Sequence, residues 1–523
     1  MPGKPPSIEL DQEKLDAFLK RAEQCLDPED FALLASLVKA LSNLRDLLQS
    51  KSRSIMRLLR MIFGVKTERS KPVAKDEANK EAGAERPARK KGHGRNGVQN
   101  YSGATKVDVA HDSLKHGDRC PECEKGRVYR ADPGIIMNFF AVAPIQAILY
   151  LLEKFRCNLC GEIFTAEKPH EASEKKYDET VGAMIALSRY GFGVPFHRLD
   201  KLQAGCGIPL AASTQWEIVS EDADTLKPVF EHLVREGAQA ERIYQDDTNM
   251  RVLALNGKKK DEDKTDDRTG TFTTGLVCES EVKKIACFFT GAKHAGENLR
   301  DLLLQRVSEL SPPIQMCDAL SRNMPEDLLT ILSNCMAHAR RNFVDLLDNF
   351  PEECGFVIDI LAKVYHHDAL AKRSNLPPDQ RLQFHQEKSG PLMNELKSWM
   401  ETQLDEKRIE PNSGMGNAIQ YMLKRWERFT LFLKIPGAAI DNNICERALK
   451  MAIRHRRNSL FYKTQRGAWV GDLFMSLIHT CNLMGVNAFQ YLTTLLRNAT
   501  KLAQDPSRWM PWSYKDEPSA NPP

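Results

Sequence analysis

The sequence predicts a multidomain α+β protein, and three observations predict it. A narrow aliphatic seam at heptad spacing runs from Leu34 to Ile62, which argues an N-terminal coiled coil. Two Cys-x-x-Cys pairs, Cys120/Cys123 and Cys157/Cys160, argue a four-cysteine zinc module. Strand-length apolar runs with one helix-length stretch fill residues 241–345. Long helical patterns follow and then a helical return, which argues an α/β core interrupted by a helical insertion.

The bulk numbers bound the rest. A chain of 523 residues holds about three or four domains. Lys+Arg 74 against Asp+Glu 70 gives +4, so any nucleic-acid binding comes from local patches. The N-terminus has no apolar core and does not read as a signal peptide. The most apolar stretch, 135–152, contains Asn138, Pro144 and Gln146, and no membrane span is expected. Thirteen cysteines without a secretion signal argue for a reducing cytoplasm, where they are thiols or metal ligands. There is no Gly-x-x-x-x-Gly-Lys-Ser/Thr, so an ATP-driven enzyme has no support.

Residues 1–65 read as a helical coiled-coil region. Asp27-Pro28 suits an N-cap followed by Pro at the first helical position. The seam is Leu34, Leu37, Leu41, Leu44, Leu48, Ile55, Leu58 and Ile62, with Lys51 at the polar inward position. Its narrowness favours self-association, as a dimer or higher, over packing within one domain. Residues 66–100 read as a basic disordered linker. Arg89, Lys90, Lys91 and Arg95 at its end can lie along DNA phosphates, although charge alone fits a solvated linker equally well. Residues 101–168 hold the two cysteine pairs, for one structural zinc. Residues 169–240 read as a helical DNA-binding or connecting domain. A helix-turn-helix near 199–219 is one option there, and a plain connecting domain is favoured.

Between 241 and 345, strand-like runs occur at 243–249, 251–255, 271–277, 284–289 and 314–317, with a helix at 297–304. Beyond 243–249, three strands, a helix, then a strand ending in an acid is the order of an RNase H-like core. Residues 346–435 form the expected helical insertion and 436–500 the second part of the core. Residues 501–523 form a tail, rich in Pro and Trp from Gln504 onward and expected to lack a core.

Three acids carry the chemistry: Asp246, Asp318 and Glu446. The first two end apolar strands and the third lies just inside a helix. Carboxylates so placed can converge on two divalent metals for in-line phosphoryl transfer. Asp246 and Asp247 are adjacent, and strand alternation lets one face the metals. Asp246 is the choice, with Asp247 in support; alone, Asp-Asp-Thr reads as a turn or cap. Cys335-x-x-His338 could bind metal, but packing beside the site is favoured. Arg340 and Arg341 are candidate phosphate contacts or exposed helix charges. Asp441-Asn442-Asn443 suits a helix start. Lys450 and Arg454 follow Glu446 at i+4 and i+8, as a salt-bridge ladder worth a few tenths of a kcal/mol or as phosphate-binding cations. Arg454, Arg456 and Arg457 with Phe461, Tyr462 and Lys463 form a basic patch with interleaved aromatics.

On these residues the chain resembles transposases of the insertion sequence 66 family, DDE enzymes with an RNase H-like core, over nearly its whole length. Leu58-Leu-Arg-Met-Ile-Phe-Gly-Val-Lys-Thr-Glu68 looks like the end of the family's coiled coil, and Gly92-His-Gly-Arg95 like its linker. The four cysteines fit its zinc domain. Gln245-Asp-Asp-Thr248 stands where the family has Asp-Glu-Thr. Cys335-x-x-His-Ala-Arg-Arg-x-Phe343 and Ile440-Asp-Asn-Asn-x-x-Glu-Arg447 are the most specific signatures, and Pro511-Trp512 resembles the C-terminal end. Two positions depart: Asp318 precedes Ala319-Leu320 where an aromatic is expected, and Pro436-Gly437 replaces an acidic-Gly turn.

The resemblance implies a catalytic triad of Asp246, Asp318 and Glu446 with two magnesium or manganese ions per site. Asp247, Cys335, His338, Asn442, Asn443 and Arg447 take supporting roles. It implies binding of terminal inverted repeats and target DNA, a homo-oligomer, accessory proteins where the element encodes them, and a place at the nucleoid. Two rivals stay open: a non-catalytic DNA-binding regulator, and a structure-specific nuclease on the same fold.

Overall fold

The computed structural model describes residues 175–255, 270–325 and 328–514 continuously, with scattered residues between 21 and 170. The heptad seam beyond Leu34 lies outside the described residues, as do Arg89, Lys90, Lys91 and Arg95 of the linker and the zinc cysteines Cys120, Cys123, Cys157 and Cys160. The chain divides into two units, Met1–Pro133 and Gly134–Pro523. In the first, Arg119 and Arg127 form an antiparallel bridge. The second opens with a short antiparallel pair, β1 (Lys154–Arg156) and β2 (Ile163–Thr165).

Three helices follow: α1 (Glu179–Ala186), α2 (Phe196–Gly205) and α3 (Ala212–Ala238). Asp178 caps α1 by accepting from Thr180 N and Val181 N, as expected of Asp at this position. Along α3, Val219, Ala223, Leu226, Phe230 and Leu233 are buried at helical spacing, and they join one hydrophobic core with the sheet.

That sheet has five strands: β3 (Arg242–Asn249), β4 (Phe272–Glu279), β5 (Lys284–Gly291), β6 (Ile314–Cys317) and β7 (Ile331–Asn334). Their order is β5-β4-β3-β6-β7. β3, β4 and β5 form an antiparallel meander; β6 and β7 add in parallel on the other side of β3. A parallel neighbour needs a crossover, and α4 (Ala295–Leu303) lies between β5 and β6. Two expectations are corrected. Residues 251–255 make a single bridge, Val252 to Tyr462, and a 3-10 turn, Leu253–Leu255. Their partner is only a short loop, reached by Leu253 N to Tyr462 O and Ala254 N to Lys463 O. β7 was not anticipated, because Ile-Leu-Ser-Asn is too short and half polar.

After β7 the chain is helical: α5 (Met336–Leu346), then, over the residues read as an insertion, α6 (Pro351–Arg373), α7 (Pro378–Lys388), α8 (Gly390–Asp405), α9 (Gly414–Leu423) and α10 (Trp426–Phe429). It builds a second core around Phe343, Leu361, Met393, Leu396, Ile419 and Phe432. Asp368 sits in it, ion-paired to Arg381 at 2.5 Å and Lys372 at 2.7 Å. His385 lies 3.4 Å from Asp368 and 3.1 Å from Ser389 Oγ. This Ser-His-Asp order imitates a hydrolase triad, yet Ser389 and His385 are 0% and 1% exposed, so no substrate reaches it.

The chain returns through α11 (Asn443–Ser459), α12 (Gln465–Leu483), α13 (Ala488–Arg497) and α14 (Ala499–Leu502). α12 closes the outer edge of the sheet with side chains. Asp472 Oδ2 accepts from Thr290 N at 2.6 Å, Ser476 Oγ from Phe288 N at 2.9 Å, and Thr480 Oγ1 from Ala286 N at 3.0 Å. Met484 Sδ, just past the helix, accepts from Lys284 N at 3.3 Å. Four helical residues advance about 6 Å and two strand residues about 6.6 Å, so the registers keep pace over three steps. The bare edge that invites foreign strands is thereby covered. The tail does contribute a core, against expectation: Trp509, 3% exposed, and Met510 join the main cluster, and Tyr491 donates to Trp509 O at 2.7 Å. Among the described residues no helix is long and apolar enough to cross a membrane.

Candidate active site

Parallel register sets the first two acids side by side. Tyr244 pairs with Met316, so Asp246 and Asp318, each two residues further on, emerge level at the same end of the sheet. The third acid is placed by the start of α11. Asp441 accepts from Asn443 N at 3.1 Å and Asn443 Nδ2 at 2.7 Å, closing the turn that begins the helix. Asn442 is 0% exposed; its Nδ2 donates to Gln245 O at 2.8 Å and its N–H to Cys335 Sγ at 3.2 Å. One turn on, Cys445 Sγ donates to Gly275 O at 3.2 Å, and Gly275 is the cross-strand partner of Asp246. A Cβ at Gly275 would meet Leu449 at 3.0 Å, so this glycine lets the helix lie close over the strands. Glu446 is carried to Asp246 by these bonds.

The electrostatics follow. Burial pushes the Asp246 carboxyl up to about 7, and the charges of Asp318, Asp247 and Glu446 add to the rise against a bond from Asp247 N. Burial also raises Asp318, while His338 and Arg322 oppose it. Two buried carboxyls held above their ordinary range beside other acids are a setting that a divalent cation relieves.

Asp247 turns to the other face, as alternation requires. It is 3% exposed and contacts His294 Nδ1 at 3.2 Å and Arg322 Nη2 at 3.1 Å. Asn323 donates to Asp318 Oδ1, and its carbonyl accepts from Gln245 at 2.5 Å and Gln315 at 2.7 Å. Sequence reasoning missed His294, Arg322 and Asn323. The last two share the 3-10 turn Ser321–Asn323, and no periodicity marks them.

Among the described residues, Cys335, His338 and Glu446 form the tight group of potential ligands, with donor atoms within 4.8 Å of one another. His338 Nε2 lies 4.0 Å from Glu446 Oε1. Asp246 and Asp318 stand outside that group but near enough to act on one another. The residues fit the ions: Glu446 Oε1 and His338 Nδ1 have no hydrogen-bond partner among the described residues. Three carboxylates suit magnesium or manganese. Burial pushes the Cys335 thiol up to about 12, so it accepts from Asn442 as a neutral thiol, in keeping with a packing role.

The expected DNA-contact residues divide. Lys450, Arg454 and Arg457 are exposed, and so is Arg447, expected in a supporting role; the four stand at steps of three, four and three, hence along one stripe of α11. Arg341 is exposed and Arg340 half-buried. Arg456 is turned inward, bonded to Thr248 Oγ1 at 3.0 Å and Asn249 O at 2.5 Å. Tyr462 is buried and stacked on His455 at 4.3 Å, so it is not an exposed member of the patch.

The family model described as "Transposase IS66 family" matches residues 175–469, a span that holds all three acids. Three uncharacterized proteins of Sinorhizobium fredii (strain NBRC 101917 / NGR234) are similar. Protein y4hP is 28% identical over 391 residues, 69% of this chain and 67% of its own length. Protein y4jD is 25% identical over 387 residues, 69% and 71% of the two chains. Protein y4qI is 24% identical over 354 residues, 65% and 63%.

Proposed function

Because this chain belongs to the IS66 family of transposases, we propose that it is a DDE transposase that cuts DNA at the ends of an insertion sequence and joins them to a target. The observation that carries the reading is the meeting of Asp246, Asp318 and Glu446 at adjacent strand ends and the first turn of α11. The strand order, three antiparallel and two parallel, supports an RNase H-like core.

Asp246, Asp318 and Glu446 would hold two magnesium or manganese ions, which supply charge neutralisation at the scissile phosphate and an acidified water. Asn442 fixes the height of Glu446 and Asn323 the rotamer of Asp318, so the acids are preorganised. Asp247 steadies Arg322 beside them. Arg447, Lys450, Arg454 and Arg457 give the phosphate backbone a track leading to the acids. In the first step the water oxygen attacks phosphorus and the 3′-oxygen leaves as a hydroxyl. In the second, that 3′-hydroxyl attacks a target phosphodiester, whose own 3′-oxygen leaves. Both are in-line displacements without a covalent enzyme intermediate. A coiled-coil dimer would hold two ends together at the nucleoid, and the zinc module and linker would grip end sequences.

The test is strand transfer in vitro, with magnesium and a duplex carrying the element's end, beside Glu446→Gln. Joining by the wild type and not by the variant is expected. Cutting without joining would make the protein a nuclease; binding with neither activity would make it a regulator.

A further inference from the structure

Arg189 lies on a π-helical turn, Leu187–Gly191, that continues α1. Such widened turns occur often where a helix presents a functional side chain. Arg189 is 8% exposed, its guanidinium lies over the Phe196 ring at 4.8 Å and donates through Nη1 to Ser459 Oγ, and its Nε has no hydrogen-bond partner among the described residues. It lines a cavity of about 860 Å³, within the roughly 300–1,000 Å³ of ligand sites.

The walls combine two chemistries. Phe196, Trp216 and Phe461 offer aromatic surface, and Arg189, Lys463 and Arg466 offer positive charge. Arg466 is shared with Asp224 at 2.7 Å, but no acidic residue is among the described residues that line the cavity. The first turns of α2 and α3 reach it through His197 and Ala212. Their cap positions, Pro195 and Ala211, make no side-chain cap bond, so their backbone N–H groups suit an anion. Aromatic faces take a flat base, and cations with helix N-termini take its phosphate. A base stacked in a duplex has no free face to offer, so the nucleotide that fits is an unstacked one.

The place of the cavity is equally specific. Asn458 and Ser459, at the far end of α11, line it, and Glu446 is at the near end. At about 1.5 Å per residue the separation is roughly 20 Å, or about six base steps. The exposed stripe of four cations runs between the two. We propose that this cavity receives one unstacked nucleotide of bound DNA, about six base steps from the phosphate that is cut. The proposal rests on the DNA-transposase reading of the acid site.

The test uses the full chain and two duplexes of one sequence, fully paired or carrying a single unpaired 2-aminopurine. Wild type is expected to bind the unpaired duplex about tenfold more tightly, the gain of stacking one base. It should also shield the 2-aminopurine from acrylamide quenching. Trp216→Ala should bring the ratio of the two affinities toward one; if that variant does not fold, the shielding by wild type still decides. Equal binding of both duplexes without shielding would overturn the proposal and leave the DNA reading intact. Binding of neither would overturn both. Equal duplex binding with Trp216-dependent capture of dAMP would assign the cavity to a free nucleotide and overturn the DNA source.

Discussion

Asp246→Asn should stabilise the metal-free protein while abolishing its chemistry. Asn keeps the shape and still accepts from Asp247 N, but carries no charge among Asp318, Asp247 and Glu446. Moving a carboxyl from 3.8 to about 7 corresponds to at most about 4 kcal/mol, at about 1.4 kcal/mol per pH unit. The sign is fixed by linkage. The folded value lies above the unfolded one, so between pH 3.8 and about 7 the folded state holds more protons. Stability is fully present below that window and is lost as pH rises through it. The variant escapes this loss, so the difference should be near zero at pH 4 and greatest by pH 8. With about 2.1 cal/mol/K of unfolding entropy per residue, 1 kcal/mol moves Tm by about 1 °C in a unit of this size. A rise of about 2–4 °C at pH 8 is therefore expected, read by thermal melts in a chelator across pH. Saturating magnesium should raise the wild-type Tm and leave the variant unmoved. A variant no more stable at pH 8, or one whose advantage does not shrink toward acid pH, would refute the account of Asp246 as a carboxyl raised by burial and neighbouring acids.

Other perturbations separate positioning from stability. Asn442→Ala should lose about 1–3 kcal/mol from its unpaired buried partners and, by freeing Glu446, lower cleavage about 100-fold with little change in DNA affinity; equal cleavage would show that Glu446 is held by other means. His338→Ala should weaken the response of Tm to manganese, measured by titration, and an unchanged response would remove His338 from the ion's surroundings. Ser476→Ala should cost about 1–3 kcal/mol by orphaning Phe288 N without altering metal response, checked by melts with and without magnesium. Asp472, pushed up to about 7 by burial, gives a second window of the same sign, so Asp472→Asn should flatten the loss of stability between pH 4 and 7.

Much of the site was legible because its signals are local. Asp246 closes an apolar run, Asp441 and Asn442 announce a helix start, and Glu446 follows at a fixed offset. What was hidden depends on residues that meet only in three dimensions. Arg322 and Asn323 sit in a turn with no pattern, and their roles come from Asp247 and Asp318 arriving beside them. Arg456 and Tyr462 read as part of a surface patch, yet the end of β3 and the ring of His455 draw them inward. Residues 251–255 have a strand's composition but meet a loop, so no ladder forms. In α12 the polar series Asp472, Ser476, Thr480 carries no local signal, because its acceptors find their donors only on β5.

That last pairing bears on how the protein is made. The N–H groups of β5 wait for acceptors that lie 182 to 200 positions later in the chain. At about 5–20 residues per second, a ribosome leaves that strand bare for roughly 10–40 s. Glu446 emerges within the same interval, shortly before the residues that seal the edge. A message cut short between residues 446 and 465 would therefore release a chain with all three acids made and an open strand, prone to join copies of itself.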